Sequence, residues 1–232
     1  MANKKKNLFG KSEMFLIVSL PKNDPELARA AVDGGAHALK VHLNVHHAAS
    51  GTHFGTLAEE RENIAKIISI ADKADAAAGI MPGAEQTASV DELCELAAMG
   101  IRFYDIYDFH MPAEYFSVEK IEPMVALGPG FAPDSAGALW RMGVKFIEAS
   151  CVAHEDYGKP LLMSDLEMYE SICSRFGGKV VVPTQKAIKP SEAGALRAAG
   201  VRGLMIGAIV AGREPETIQR ATKKFRKAID KL

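Results

Sequence analysis

In the stretch ALKVHLNVHH, residues 38 to 47, aliphatic side chains alternate with Lys40, His42 and Asn44. Side chains at every second position of a strand share one face, so an ammonium, an imidazole and an amide point the same way. On a face turned to substrate, the lysine could anchor an anion, move a proton or attack a carbonyl as a free amine. The stretch VKFIEASCV, residues 144 to 152, likewise puts Val144, Phe146, Glu148 and Ser150 on one face. A carboxylate in that company is costly unless paired or solvated, and Glu148 opposite Lys40 would make an acid/base or ion pair. In IRFYDIYDF, residues 101 to 109, and the following His110, Tyr104, Asp108 and His110 have one parity, Asp105 and Tyr107 the other. The sequence does not settle the parity. Asp108 and His110 are taken as site residues because they stand nearer the C-terminal end of the strand.

Each group also has a purely structural explanation. Lys40 and Glu148 could form an internal salt bridge, His42 could satisfy a neighbour, and His46, His47, His53 and His154 lie in loops where surface histidines are common. The spacing of His42, His46 and His47 matches no metal signature, because these residues do not converge on an extended strand. No metal and no cofactor is therefore expected.

The elements that position these residues follow one rhythm. Short apolar runs at residues 15–20, 38–45, 76–82, 101–109, 123–128, 144–152, 179–185 and 203–210 give eight strand candidates. Between them lie helical segments such as DPELARAAVDGGA, TLAEERENIAKIISIADKADA, SVDELCELAAMG, APDSAGALWRMG and KPSEAGALRAAG. The recurring closes AVDGGA, LAAMGI, LWRMGV and LRAAGV put a glycine where each helix must stop before the next strand. Repeated βα units with right-handed crossovers close naturally into an α/β fold, the (β/α)8 TIM barrel, whose usual size of about 250 residues suits this chain. An open doubly wound sheet would need a glycine-rich turn after its first strand, and here that turn reads SLPKNDP. In a barrel, Leu39, Val41, Leu43 and Val45 pack outward and Lys40, His42 and Asn44 face the lumen. Barrel interiors are normally filled by bulky apolar side chains, so lumen charges point to function.

The final turn, GLMIGAIVAGREPETIQRATKKF, joins a strand to a helix through Gly207 and Ala208. In barrels that bind phosphate, the loops after the last two strands and the start of a short helix present backbone N–H groups to it. Gly207 would allow close approach, although a lone glycine could merely relieve crowding.

Composition limits the partners. With 232 residues, 48% hydrophobic, 25% charged and a net charge of -1, residues 1–232 suit one large domain with a short Lys-rich extension at 1–12. The near-neutral balance argues against nucleic acid as a partner. Cys94, Cys151 and Cys173 form no close-spaced pair, which fits a reducing cytoplasm. The opening MANKKKNLFGKSE lacks the apolar core of a signal peptide, and no apolar run approaches the roughly 20 residues of a membrane helix. The loop HHAASGTHFGTLAEE, with Thr56 and Glu59 at capping-box spacing, would serve either as a lid over the barrel mouth or as a homodimer contact.

The order LIVS, GGAHALKVHLN, MGIRFYDIYDFHMP, VALGPGFAPDSAGALWRMGVKFIEAS and VVPTQKAIKPSEAGALRAAGVRGLMIGAIV resembles the ribulose-phosphate-binding barrel superfamily. Within it the layout is most similar to N-acetylmannosamine-6-phosphate 2-epimerases, over most of residues 14 to 218. That resemblance implies a phosphorylated substrate and a lysine on strand three paired with a glutamate on strand seven for proton transfer. Here Pro82 and Thr184 stand at those places, and neither can act as the acid or base. By the same resemblance, Lys40 matches a strand-two basic residue that contacts substrate, and Lys186 falls near a strand-seven arginine.

The expected function is an isomerase or epimerase that moves protons on a small phosphorylated sugar or hydroxy-carbonyl metabolite. Lys40, Glu148 and Asp108 would be catalytic. Ser19, His42, Asn44, His110 and Gln185 would bind substrate, and Lys186, Gly207 and Ala208 would hold the phosphate. A Schiff-base aldolase using Lys40 and a non-catalytic phosphometabolite-binding barrel are the alternatives.

Overall fold

The apolar runs become strands because their alternation lets each one pack on two sides at once. The computed structural model describes residues 14–132 and 134–232, and the Lys-rich extension expected at 1–12 lies outside them. In chain order the strands are β1 (Phe15–Ser19), β2 (Ala38–His42), a hairpin of β3 (Val45–His47) and β4 (Thr52–Phe54), β5 (Ala77–Met81), β6 (Phe103–Tyr107), β7 (Glu122–Leu127), β8 (Phe146–Ala149), β9 (Lys179–Pro183) and β10 (Gly203–Ile206). All but the hairpin join one closed barrel in the order β1-β2-β5-β6-β7-β8-β9-β10, and β10 pairs back onto β1. Every pairing in that barrel is parallel. The architecture is a (β/α)8 TIM barrel.

The helices are α1 (Pro25–Asp33), α2 (Leu57–Lys73), α3 (Val90–Met99), α4 (Ser135–Arg141), α5 (Met163–Cys173), α6 (Ala193–Ala198), α7 (Ala208–Ala211) and α8 (Pro215–Ile229). Between β6 and β7 the crossover is a 3₁₀ turn, Ala113–Ser117, in place of an α-helix. Local signals set the ends. Asp24 caps α1 by accepting from the Glu26 amide at 2.8 Å, and Pro25 opens the helix where a missing N–H costs nothing. The Thr56 amide donates to Glu59 at 2.8 Å, which is the returning half of the capping box at α2. On α2, Ile64, Ile67, Ile68 and Ala71 are buried against the barrel, and on α8 the buried set is Ile218, Thr222, Phe225 and Ile229. No helix among the described residues is long and apolar enough to cross a membrane.

Two separate apolar layers result from the period-two alternation. The outer one, between strands and helices, includes Leu16, Val18, Leu39, Val41 and Ile147. The inner one fills the lower lumen with Phe15, Ile17, Ala38, Ala77, Phe103, Met124, Phe146, Val181 and Met205. Burying each of the three phenylalanines contributes about 1.5–3 kcal/mol. Two strand glycines make room for their rings: a Cβ at Gly79 would lie 2.1 Å from Cζ of Phe103, and one at Gly203 would lie 2.5 Å from Cε2 of Phe15.

The second strand is shorter than its alternation suggests. β2 stops at His42, and Asn44 turns the chain through a left-handed conformation (φ 49°) into the hairpin. Asparagine tolerates that region better than most residues. Its amide donates to the Pro82 carbonyl at 3.3 Å, and its backbone N–H to the Gly55 carbonyl at 2.9 Å. The segment expected as a lid or a homodimer contact contains a β-hairpin whose base Asn44 fastens.

Because the Phe103 ring occupies the space a side chain at Gly79 would need, Gly79→Ala should lower stability by about 1–3 kcal/mol. The midpoint of denaturant unfolding measures this, and a midpoint equal to that of the parent would show that the ring has room to move.

Candidate active site

Above the phenylalanine layer the lumen changes character. Register aligns Ser19 with Lys40 and Lys40 with Gly79 across three strands, and Asp105 with Met124 and Ala126 with Glu148 on the far side. Lys40 reaches across the barrel to both acids. Its Nζ donates to Asp105 Oδ2 at 2.6 Å and to Glu148 Oε2 at 3.1 Å. All three are almost fully enclosed, at 6%, 1% and 6% exposure for Lys40, Asp105 and Glu148. They form the floor of a cavity of about 520 Å³ at the C-terminal mouth of the barrel.

Two acids and one cation in so dry a place cannot all carry charge cheaply. Burial alone would strip the proton from Lys40, but the adjacent Asp105 and Glu148 charges outweigh it and hold the ammonium more firmly than usual. Asp105 is pushed the other way from an ordinary carboxyl: burial first, then the Glu148 charge, raise it well above the usual range. For Glu148, burial is the largest influence and raises its pKa; the Lys40 charge and hydrogen bonds from Asp105 and Lys40 outweigh it, leaving the group below the usual range. Of the two acids, Asp105 is thus the one that holds a proton more readily and Glu148 the one that stays ionised more readily, beside a firmly held ammonium. Asp105 Oδ1 has no hydrogen-bond partner. One base, one acid and a fixed cation within a few ångströms form a proton-transfer set.

Around the floor, polar groups form a bonded wall. Tyr107 and Ser150 share a hydrogen bond at 2.8 Å. The Gln185 amide donates to Ser150 Oγ at 3.0 Å and to the Tyr157 hydroxyl at 2.7 Å, and accepts from the Val152 amide at 3.2 Å. Across the cavity, Ser19 Oγ and His42 Nε2 are 3.3 Å apart. His42 is fully buried and packs against His47 and Phe54 of the hairpin, with ring centroids 4.6 and 4.7 Å away. Burial, then the neighbouring His47 and Lys40, keep His42 neutral well below its usual pKa. His47 is lowered to about 4 by burial and then by Lys40.

The turn expected to hold phosphate rims the same cavity. Gly207, Ala208 and Ile209 all line it. The Gly207 amide donates to Thr184 Oγ1 at 3.1 Å, so this hydroxyl fixes the shape of the turn. The amides of Ala208 and Ile209 open α7, where no intrahelical acceptor exists for them. A Cβ at Gly207 would meet nothing nearer than Ser19 Cβ at 3.8 Å, so the space beside the turn is open.

Several expected residues stand elsewhere. Asp108 is exposed on the turn after β6, where its carboxylate accepts from the Phe109 amide at 2.9 Å. Asp105, of the opposite parity, is the acid of the lumen, because β6 turns Phe103, Asp105 and Tyr107 inward. Lys186 is buried on the far side of the strand end from Gln185 and pairs with Asp165 at 3.6 Å and Asp156 at 3.9 Å, outside the cavity lining. Asn44 fastens the hairpin, and His42 lies beneath the cavity wall behind Ser19. Ser19, Gln185 and His110 do line the cavity, as do Lys40 and Glu148. The sequence put Ser150 on the face of Glu148, left Tyr107 on the undecided parity of its strand and set His47 in a loop, without assigning them to the site, and it did not single out Tyr157. A signal for Asp105 was present: a carboxyl in mid-strand needs a partner far more than one at a strand end.

Among the described residues no group of three or more His, Cys, Asp or Glu side chains is arranged to hold a metal. Among the described residues that line the cavity, Lys40 is the one lysine or arginine.

Replacing Lys40 by methionine leaves two enclosed acids with no cation, a change that costs about 3–5 kcal/mol at neutral pH. Without the cation that keeps it ionised, Glu148 joins Asp105 in favouring the protonated form in the folded state, so both folded pKa values lie above the unfolded ones. Stability of Lys40→Met should therefore be best in acid and fall as pH rises through the carboxylate range, so its deficit narrows from about pH 7 to about pH 4.5. Urea midpoints at the two pH values test this, and a deficit independent of pH would mean that the acids are not what Lys40 offsets.

The sequence matches no protein-family model and no curated protein. Solved structures do resemble it. A thiamine phosphate pyrophosphorylase from Pyrococcus furiosus is 18% identical with a TM-score of 0.67, the match covering 95% of this chain and 97% of that one. A 3-hexulose-6-phosphate synthase is 16% identical with a TM-score of 0.64, covering 93% of this chain and 99% of that one. An orotidine 5'-phosphate decarboxylase from Pyrococcus horikoshii is 12% identical with a TM-score of 0.62, covering 93% of this chain and the whole, 100%, of the other. At such identities the likeness is one of fold, and it confirms the closed parallel barrel that the layout implied.

Proposed function

We propose that this protein is an enzyme of isomerase or epimerase type that moves a proton on a small phosphorylated hydroxy-carbonyl compound. The observation that carries this reading is the Lys40, Asp105 and Glu148 set on the floor of a cavity whose rim is the turn Gly207–Ala208–Ile209. A phosphate at the α7 amides would orient the substrate with its carbonyl end toward the floor. Glu148, as carboxylate, would take the proton from carbon. Lys40 and the protonated Asp105 would stabilise the enolate oxygen, and Asp105 could return a proton. The like-folded proteins above are, by name, a pyrophosphorylase, a synthase and a decarboxylase, each named for a phosphate compound, which supports the phosphate half of the reading.

The Schiff-base alternative needs Lys40 as a neutral amine. Two acids within hydrogen-bond distance favour its ammonium form instead, so proton transfer is the better use of this lysine.

Incubation in deuterium oxide with a panel of ketose and aldose phosphates tests the proposal. The expected result is solvent deuterium at the carbon next to the carbonyl of one of them, with the exchange reduced about 10²–10⁴-fold in Glu148→Gln. Phosphate-ester binding should be lost in Gly207→Asp, which places a carboxylate beside the α7 amides. A borohydride-trapped adduct at Lys40 would favour the aldolase reading. Binding without exchange or turnover would favour a non-catalytic binder.

A further inference from the structure

The cavity is shaped for more than a short polyol. Above the polar floor its lining turns aliphatic, with Val45, Ala49, Ala84, Pro129 and Ile209 among the residues that face the space. A sugar phosphate lying there would turn hydroxyls toward carbon, and an unbonded hydroxyl taken out of water is costly. The volume, about 520 Å³, falls within the range of pockets that enclose drug-sized ligands, about 300–1,000 Å³.

One wall supplies a plate of rings. Phe109 lines the cavity and is 65% exposed, an unusual position for a phenylalanine. It stacks on Tyr107 with centroids 5.0 Å apart and planes 17° from parallel, and the His110 ring lies 4.7 Å from it, tilted by 59°. The plate is braced from behind. Tyr107 is held by Ser150, and Gly128 leaves a slot for Phe109, since a Cβ there would lie 2.8 Å from its Cε1. With Tyr107 fixing one face, the exposed surface of Phe109 is preorganised to receive a further ring, since aromatic pairs prefer offset or edge contacts at these separations.

We propose that the substrate carries, beside its phosphate, a flat aromatic or heteroaromatic group that packs against Phe109 at the rim of the cavity. This rests on the phosphate-ester reading of the site and narrows its substrate class. Phe109 and His110 set specificity by accepting the ring, while the floor set acts on the carbons between ring and phosphate.

Ligand-observed NMR titration with phenyl phosphate and with glycerol 3-phosphate separates the two claims. Phenyl phosphate should bind the parent protein about five- to tenfold tighter than glycerol 3-phosphate. Phe109→Ala should remove that advantage while leaving glycerol 3-phosphate affinity where it was, and Phe109→Tyr should retain it. Equal affinity for the two probes, binding of neither, or an advantage that survives Phe109→Ala overturns the ring subsite. If phenyl phosphate affinity falls in Phe109→Ala but is unmoved in Gly207→Asp, the ring subsite stands and the phosphate assignment is the one that fails.

Discussion

An ammonium enclosed between two acids governs the upper half of this barrel. Lys40 sits in a lumen whose lower half is hydrocarbon, and its charge survives there because Asp105 and Glu148 lie within hydrogen-bond distance. A buried pair of this kind is weak evidence of stability, because hydrophobic side chains of like volume would often serve the fold as well or better. The arrangement makes sense as chemistry. Three strands each contribute one member, so the closure of the barrel is what brings the set together, and its protonation pattern follows from geometry and not from any one residue.

The wall around that set shows how the loops are tied to it. Gln185, just past β9, holds Ser150 and the Val152 amide after β8 and the Tyr157 hydroxyl further along the same loop. Backbone bonds reinforce the tie, with Gly158 donating to the Gln185 carbonyl at 2.8 Å and Ala187 to the Lys159 carbonyl at 2.9 Å. Lys186 clamps the outer side through Asp165 and Asp156. Gln185 and Lys186 are sequence neighbours with opposite assignments, one to the cavity and one to the scaffold, on the turn that follows β9.

Much of the fold was legible in the sequence. The glycine-ended helices and short apolar runs repeat clearly enough that eight strands and their closure could be inferred. Alternation also placed Lys40 and Glu148 on inward faces, because VKFIEAS and ALKVH mix polar and apolar residues in step. It failed for β6, where FYDIYD carries rings and acids on both parities and either face could pass for the inner one. Only the contact with Lys40, made through residues 65 positions apart in sequence, distinguishes Asp105 from Asp108. The β3–β4 hairpin was unreadable for another reason. Its strands are three residues each, shorter than the window over which a period of two can be recognised.

The phenylalanines beneath the acid floor have one more effect. Phe15, Phe103 and Phe146 fill the lower lumen, and glycines at 79 and 203 let their rings fit tightly, so among the described residues the rear of the vessel is packed with side chains. A molecule held on the acid floor therefore has solid hydrocarbon at its back, and reactant and product share the C-terminal end as their way in and out.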